Sequence, residues 1–322
     1  MTMKSEISII TPVFNGEQYL AEVIESVLAQ EEIRIEHIIV NDGSTDGSLQ
    51  IAEYYERRFP SRIRVISQVN GGEASAVNRG IRECSAKYLC VVNADDPLLP
   101  GHCRRMVDSL EGNEHCVVAY PDWVMINGSG ETIRTIRTIE FSRRALIADF
   151  VCIPGPGAVI RFEAIEDFDL RDTRYRFIGD YVGWLKLSNF GDFVRVPYVL
   201  ATWRNHESGA THSNKGRPIA NELVRLARDD FNSIVQVPIP ISWHASARSH
   251  AYYYAALQST QDGNVNGGRL LIRSFLSKPW MSMGYQTHHR SPLAIAAVLL
   301  GPVGRRIIEC REVRRMKRRC QG

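Results

Sequence analysis

The segment Leu89-Cys90-Val91-Val92 is an unbroken apolar run that stops at Asn93-Ala94-Asp95-Asp96 and is closed by Pro97. A run without polar alternation is the pattern of a central strand covered on both faces. Pro97 has no amide hydrogen to give a ladder, and ends it. A chain built around such a strand must bring helices to both faces of its sheet, and the residues before it do so. Ile7–Val13, His37–Val40 and Ile63–Ile66 are further short apolar runs. Between them, Glu17–Gln30 carries Leu20, Val23, Ile24, Val27 and Leu28 at helical spacing, Thr45 or Asp46 can cap a helix reaching Phe59, and Gly71-Gly72 precede a helix over Glu73–Glu83. This βαβα rhythm predicts an α/β fold with a mostly parallel, Rossmann-like sheet.

Two adjacent acids at the carboxyl end of a central strand stand where open α/β sheets bind ligands, and their mutual repulsion asks for a compensating charge. A hard divalent ion such as Mg²⁺ or Mn²⁺ would supply it, bridging carboxylates to a diphosphate. Taken alone, the pair is better read as a solvated acidic turn. The neighbouring strand ends favour the ligand: Thr11 and Asn15, Asp42 and Ser44, and Asn70–Glu73 share one rim with Asp95 and Asp96, where a nucleotide would be gripped.

At 322 residues, with 44% hydrophobic and 23% charged residues, the chain has the length and composition of about two soluble globular domains. Its net charge of +3 is uneven, because Arg305–Arg319 alone holds eight Lys/Arg and two Glu. The remainder is mildly acidic, which argues against a general nucleic-acid binder. The seven cysteines form no CxxC pair, so neither a zinc site nor a disulfide framework is indicated, and a reducing cytoplasm fits best. No secretory signal is visible at the start, and the longest apolar stretch, Leu293–Val303, is too short to span a bilayer.

TPVFNGEQYL, IIVNDGSTDGS, NGGEASAVNRG and VVNADDPLLPG follow one another in an order and at intervals that resemble the nucleotide-binding half of the family 2 glycosyltransferases, the inverting group with the GT-A fold. The resemblance is tight over Ile7–Gly101 and looser to about Thr211. It implies a nucleotide-sugar donor, UDP-linked by family habit, and gives roles to residues already marked. Pro12, Phe14 and Glu17, with Thr11, match the first-loop positions at the nucleobase and ribose, and Asp42 matches the acid that bonds the base. Asn78 matches a helix element below the diphosphate. Asn93, Ala94 and Asp95 match the donor side of the metal motif, and Asp95 and Asp96 its metal ligands for Mn²⁺ or Mg²⁺. The family's motif commonly begins with Asp where this chain has Asn93, which removes one negative charge beside the metal.

Beyond Gly101 the rhythm changes. Cys103–Leu110 reads as a helix and Cys116–Ile126 as a strand broken by Pro121, followed by a polar turn and Thr132–Ile139. Gly155 and Gly157 flank Pro156 in a loop that can bring backbone close to a ligand. Asp180 lies at or just before the start of a helix marked by Trp184, Leu185 and Leu187, where an acid can cap or face a cleft. By resemblance Asp180 is the catalytic base, although Gly179 stands where the family has Glu. A positioned carboxylate suits the task, since an attacking hydroxyl becomes acidic only as its bond to the anomeric carbon forms. Arg204 and His206 fall in the place of the family's late Arg-x-His segment, Arg204 toward the donor and His206 as a further metal ligand.

Three units are expected: 1–101 as the nucleotide-sugar half, 102–215 as the acceptor and catalytic half, and 216–322 as a helical extension with a basic tail. That tail is read either as a solvated segment or as a peripheral contact with the inner face of a membrane, where a lipid-linked glycan acceptor would be found. A nucleotidyltransferase would need a Gly-rich basic loop after the first strand, and a dinucleotide dehydrogenase GxGxxG; neither is present. The remaining rival is a degenerate transferase kept as a nucleotide-binding scaffold, motivated by Asn93 and Gly179.

Overall fold

The apolar runs become the strands they predict. The structure, a computed structural model, describes residues 5–206, 216–261 and 267–277. Ser208, Thr211, His212, the apolar stretch Leu293–Val303 and the basic run Arg305–Arg319 lie outside the described residues. In chain order the first elements are β1 (Ile7–Val13), α1 (Leu20–Leu28), β2 (Ile35–Asn41), α2 (Ser48–Arg58), β3 (Ile63–Ser67), α3 (Glu73–Ile81) and β4 (Tyr88–Val91). They are followed by α4 (His102–Glu111), β5 (Cys116–Asn127), β6 (Thr132–Ile136), α5 (Arg143–Ile147), β7 (Val159–Arg161), α6 (Gly179–Leu187) and β8 (Asp192–Asn205). The chain divides into two compact units, Met1–Phe141 with Cys152–His212 and Ser142–Val151 with Ser213–Gly322.

In the first unit the strands run β3-β2-β1-β4-β7-β5-β6, with β8 paired to β5. The β3-β2-β1-β4 portion is parallel throughout. Strand β7 enters antiparallel to both β4 and β5, and β8 runs parallel to β5. Alternation along β1 divides the core between the two faces of the sheet. Ile7 and Ile9 pack with Val23 and Val27 of α1 and with Cys103, Met106 and Val107 of α4. On the other face, Ile38 and Val40 of β2 pack with Ala76 of α3. Each fully buried branched side chain contributes roughly 1.5–3 kcal/mol. Helix α3 lies so close to β1 that a Cβ on Gly80 would stand 2.5 Å from the Ile10 methyl.

Two details depart from the sequence reading. Helix α1 begins at Leu20 rather than Glu17, because the Gly16 carbonyl accepts from both Tyr19 N (3.1 Å) and Leu20 N (3.0 Å) and holds the preceding residues in a turn. Pro121 does not break β5. It falls between the stretch paired to β7, Val118–Ala119, and the stretch paired to β6, Trp123–Ile126, and the register with β8 shifts beside it. The missing amide is thereby accommodated as an irregularity instead of an end.

The second unit is helical. Besides α5 it holds α7 (Gly216–Arg225), which passes through a π turn at Leu226–Asp230 into α8 (Phe231–Ile234), then α9 (Ile241–Gln261) and α10 (Gly267–Ser277). Tyr253 and Ala256 of α9 pack with Leu270 of α10. Ser249 and Ser274 each donate to the other's carbonyl, at 2.8 and 2.7 Å, locking α9 to α10. Among the described residues no helix is long and apolar enough to cross a membrane.

Candidate active site

The loops that leave β1, β2 and β3 at their carboxyl ends are bound to one another. Asn15, with a positive φ of 53°, donates its amide to Ser44 Oγ (3.1 Å) and accepts from Thr45 N (2.8 Å). Gly16 N donates to Ser48 Oγ (2.8 Å). Glu17 Oε2 accepts from Gly47 N (2.7 Å), while Glu17 N donates to Asp46 Oδ2 (3.0 Å). Five hydrogen bonds thus fix the first loop to the entry of α2. Asp46 is held below the usual carboxylate range because the donors from Ser48 and Glu17 outweigh its desolvation.

Asp42 organises the third loop. It is 3% exposed. Its Oδ1 accepts from Gln68 Nε2 and Gly71 N, both at 2.8 Å, and its Oδ2 from Gly72 N at 2.8 Å. A carboxylate oxygen accepts two such bonds, so Oδ2 keeps one acceptor position. Around it the rim presents apolar surface: Phe14 is 53% exposed and Val69 92%. Other residues assigned to the donor from sequence lie deeper. Thr11 is buried in β1 and bonded to His37 Nε2 at 2.9 Å, and Pro12 is buried opposite Val40 in the β1–β2 ladder. Asn78 is buried too. Its Nδ2 donates to Arg171 O (2.6 Å) and its Oδ1 accepts from Arg171 N (3.0 Å), pinning the segment before α6 to α3.

After β4 the two acids face different ways. Asp96 is 4% exposed; Oδ1 accepts from the Arg204 backbone amide at 2.7 Å and Oδ2 from Asn93 Nδ2 at 2.9 Å. Burial, and then the charge of Asp95, raise its proton affinity, against which those two donors act. Its oxygens brace the turn, and of the two acids expected to hold a metal it is Asp95 whose carboxylate meets His206. Asp95 is partly exposed, and its Oδ2 lies 2.9 Å from His206 Nε2. Ala94 abuts the first loop, since a Cβ on Gly16 would lie 3.3 Å from its methyl.

Arg204 is also turned inward. Its side chain is 1% exposed: Nε donates to Asp95 O (2.9 Å), Nη1 lies 3.3 Å from Asn127 O and 3.4 Å from Gly128 O, and Nη2 pairs with Glu22 at 2.6 Å. Its guanidinium sits over the Tyr19 ring at 4.5 Å. Arg204, expected from sequence to face the donor, here ties β4, β5, β8 and α1 together. Tyr19 also meets the His206 ring edge-on at 4.9 Å. Tyr19 and Glu22 were not singled out by sequence. Their signal was an i, i+3 spacing on the side of α1 flanking its apolar stripe.

Asp180 is exposed in the first turn of α6, where Tyr181 N donates to its Oδ1 at 2.7 Å. The segment that precedes it is the one Asn78 pins at Arg171. The loop with Gly155 and Gly157 is held by His102, which bonds Gly157 O at 2.7 Å; Gly157, at φ 74°, leaves no room for a Cβ, which would stand 2.7 Å from Ala201 Cβ. Arg161 is buried against the carbonyls of Cys116 and Leu110 and props the sheet from within.

A parallel β3-β2-β1-β4 sheet with bonded loops at its carboxyl ends, an acidic turn after β4 and a late strand returning an Arg-x-His segment to that turn defines the class: this is a GT-A fold. The chain belongs to glycosyl transferase family 2, whose pattern matches residues 8–168. The fold is shared with S. aureus TarS 1–349 in complex with UDP-GlcNAc, at a TM-score of 0.54 and 15% identity over 84% of this chain and 89% of that one. It is shared also with the mannosyltransferase PcManGT from Pyrobaculum calidifontis in complex with GDP-Man and Mn²⁺, at 0.56 and 14% over 94% and 83%. In sequence the chain is 34% identical over 139 residues to the uncharacterized glycosyltransferase YibD of Escherichia coli and 42% over 112 residues to the uncharacterized glycosyltransferase EpsJ of Bacillus subtilis. The matched regions are 43% and 35% of this chain, and 40% and 32% of those proteins.

Proposed function

We propose that this chain transfers a sugar, with inversion, from a nucleoside-diphosphate donor to a hydroxyl acceptor of a growing glycan, and that a divalent ion assists departure of the diphosphate. The observation that carries this reading is the pair Asp95 Oδ2–His206 Nε2 at 2.9 Å, at the carboxyl end of the central strand and beside three interlocked loops. One carboxylate and one imidazole form an incomplete set of the kind that a substrate diphosphate finishes, and the imidazole favours Mn²⁺ over Mg²⁺. Asp95 and His206 would hold the ion. When bound, it offsets the negative charge that builds on the departing phosphate.

The protein's own groups do the rest. Phe14 and Val69 offer apolar faces to the base, and the open acceptor position on Asp42 Oδ2 suits an imide N–H such as that of uracil, which favours a UDP-linked donor. Asp180 accepts the proton of the attacking hydroxyl. One displacement without an enzyme nucleophile inverts the anomeric centre. The solved relatives support the donor class, having been captured with UDP-GlcNAc and with GDP-Man and Mn²⁺. The charge of the run Arg305–Arg319 favours a lipid-linked acceptor at an anionic membrane face, which vesicle co-sedimentation with and without anionic lipid tests.

The deciding experiment follows nucleoside diphosphate release from a panel of nucleotide sugars with Mn²⁺ or Mg²⁺, for wild type, Asp95→Asn and Asp180→Asn, with calorimetric donor binding on the same proteins. Metal-dependent release from one donor, lost in both variants, supports the enzyme. Metal-independent binding without turnover would establish the scaffold reading that Asn93 and Gly179 motivate.

A further inference from the structure

Tyr19 occupies the junction between the nucleotide loops and the Asp95–His206 pair. On one side its amide is bonded to the Gly16 carbonyl at 3.1 Å, and Gly16 N is in turn bonded to Ser48 Oγ at 2.8 Å, so the ring is anchored to the first and second loops. On the other side the buried ring meets His206 edge-on at 4.9 Å. The Arg204 guanidinium lies 4.5 Å from the same ring. Glu22, one turn further along α1, takes Arg204 Nη2 at 2.6 Å, so a single helical face grips the residue two before His206. Arg204 Nε in turn holds the Asp95 carbonyl at 2.9 Å. Both members of the Asp95–His206 pair are thus oriented from α1, one through a ring contact and the other through a guanidinium.

We propose that Tyr19 is a positioning residue: through its ring the first loop sets the aim of His206 at Asp95, and thereby the chain's affinity for a divalent cation. The proposal rests on the reading of Asp95 and His206 as the metal pair. The physical basis is rotamer selection. An imidazole at the end of a strand has several χ1 and χ2 wells open to it, and a neighbouring ring anchored through its backbone to the first loop excludes some of them before any ion arrives. The hydroxyl has no part in this. It points toward Gly128, where a Cβ would stand 3.3 Å from it, and among the described residues it makes no hydrogen bond to either member of the pair. The ring does the positioning, so phenylalanine should serve as well.

The test measures Mn²⁺ binding to the full chain by the loss of the free-ion electron paramagnetic resonance signal, with and without UDP. Binding of UDP without metal is measured in parallel. Tyr19→Phe is expected to match wild type. Tyr19→Leu is expected to bind Mn²⁺ about three- to tenfold more weakly, the span that aromatic and cation–π contacts of this size represent, with metal-free UDP affinity unchanged. A folded Tyr19→Leu protein that binds Mn²⁺ as wild type does would overturn the proposal. So would an equal loss in Tyr19→Phe, or a matching loss of metal-free UDP binding, which would mark collapse of the loop. If Tyr19→Leu does not fold, Tyr19→Met, closer in volume, decides on the same criteria. Asp95→Asn is the control for the underlying reading: if it binds Mn²⁺ like wild type, the ion is not held by this pair and both readings fall together.

Discussion

The backbone amide of Arg204 donates to Asp96 Oδ1 at 2.7 Å, fastening the end of β8 to the turn after β4. The adjacent acids consequently have opposite effects when removed. Asp96→Ala leaves a buried amide without a partner and releases Asn93, and should lower stability by roughly 2–3 kcal/mol. Asp95→Asn, at a partly exposed site, should change stability by about 0.5 kcal/mol or less while abolishing Mn²⁺ binding. Denaturant unfolding and Mn²⁺ titration of the two variants separate the roles. Equal stability losses would contradict the division.

Asn78 gives a second contrast. Its side chain makes two hydrogen bonds to the backbone of Arg171. Asn78→Ala is expected to cost roughly 2 kcal/mol of stability, because the buried amide and carbonyl of Arg171 both lose their partner. Nucleotide affinity should stay within about twofold, and turnover should fall, since the segment leading to Asp180 loses its anchor. Calorimetry with UDP checks the first point and donor hydrolysis the second. A large loss of UDP affinity in a folded protein would restore Asn78 to the donor site.

Phe14 is exposed on the rim and contributes little to the core. Phe14→Ala should therefore leave the melting temperature unchanged while weakening UDP binding by up to about tenfold, the loss of one stacking face. Unchanged affinity would move the base away from this loop.

Two histidines make the fold acid-sensitive. Burial, and for His37 the nearby Arg62 charge, lower His37 to about 3; burial lowers His102 to about 4, opposed by its bond to Gly157. Both are neutral in the folded state across the neutral range, whereas an unfolded histidine takes up a proton below about pH 6.5. At these two sites the unfolded chain binds more protons in the window from about 6.5 down to 4, so their contribution to stability falls with acidification there and is flat above it. Asp96, whose proton affinity is raised by burial, contributes in the opposite sense. Each site should contribute a loss of roughly 2 kcal/mol between pH 6.5 and 5. Urea unfolding at pH 7 and 5 should show that acidification costs a folded His102→Gln protein roughly 2 kcal/mol less than it costs wild type, a difference from which the contribution of Asp96 cancels.

The sheet was legible in the sequence because its strands are unbroken apolar runs, and a run such as Leu89–Val92 has few ways to be buried. The rim loops were legible for a related reason: Asn, Asp and Gly at strand ends announce turns. Side-chain direction within a turn was not legible. Asp95 and Asp96 are the same residue type one position apart, and the amide of Arg204, 108 residues away, together with the Asn93 side chain, holds Asp96 inward. Arg204 itself looks like a donor contact in a linear motif, yet α1 and the β5–β6 turn absorb its donors. The continuity of β5 across Pro121 was hidden, because the proline is tolerated only through the gap between the β7 and β6 pairings. Tyr19 was invisible as a site residue, being one aromatic in a helix start until His206 is brought against it.

The distance in sequence between Asp95 and His206, 111 residues, also orders events in time. During synthesis the loops after β1, β2 and β3 are complete once the first quarter of the chain has emerged, and their mutual hydrogen bonds need nothing that follows. The pair at the end of β4 waits until β8 has been made and laid beside β5. Contacts of that separation form late, after loop closure has been overcome. A nascent chain therefore completes its interlocked rim loops well before it acquires the partner of Asp95, and the cation site proposed there would be complete only when nearly the whole first unit is in place.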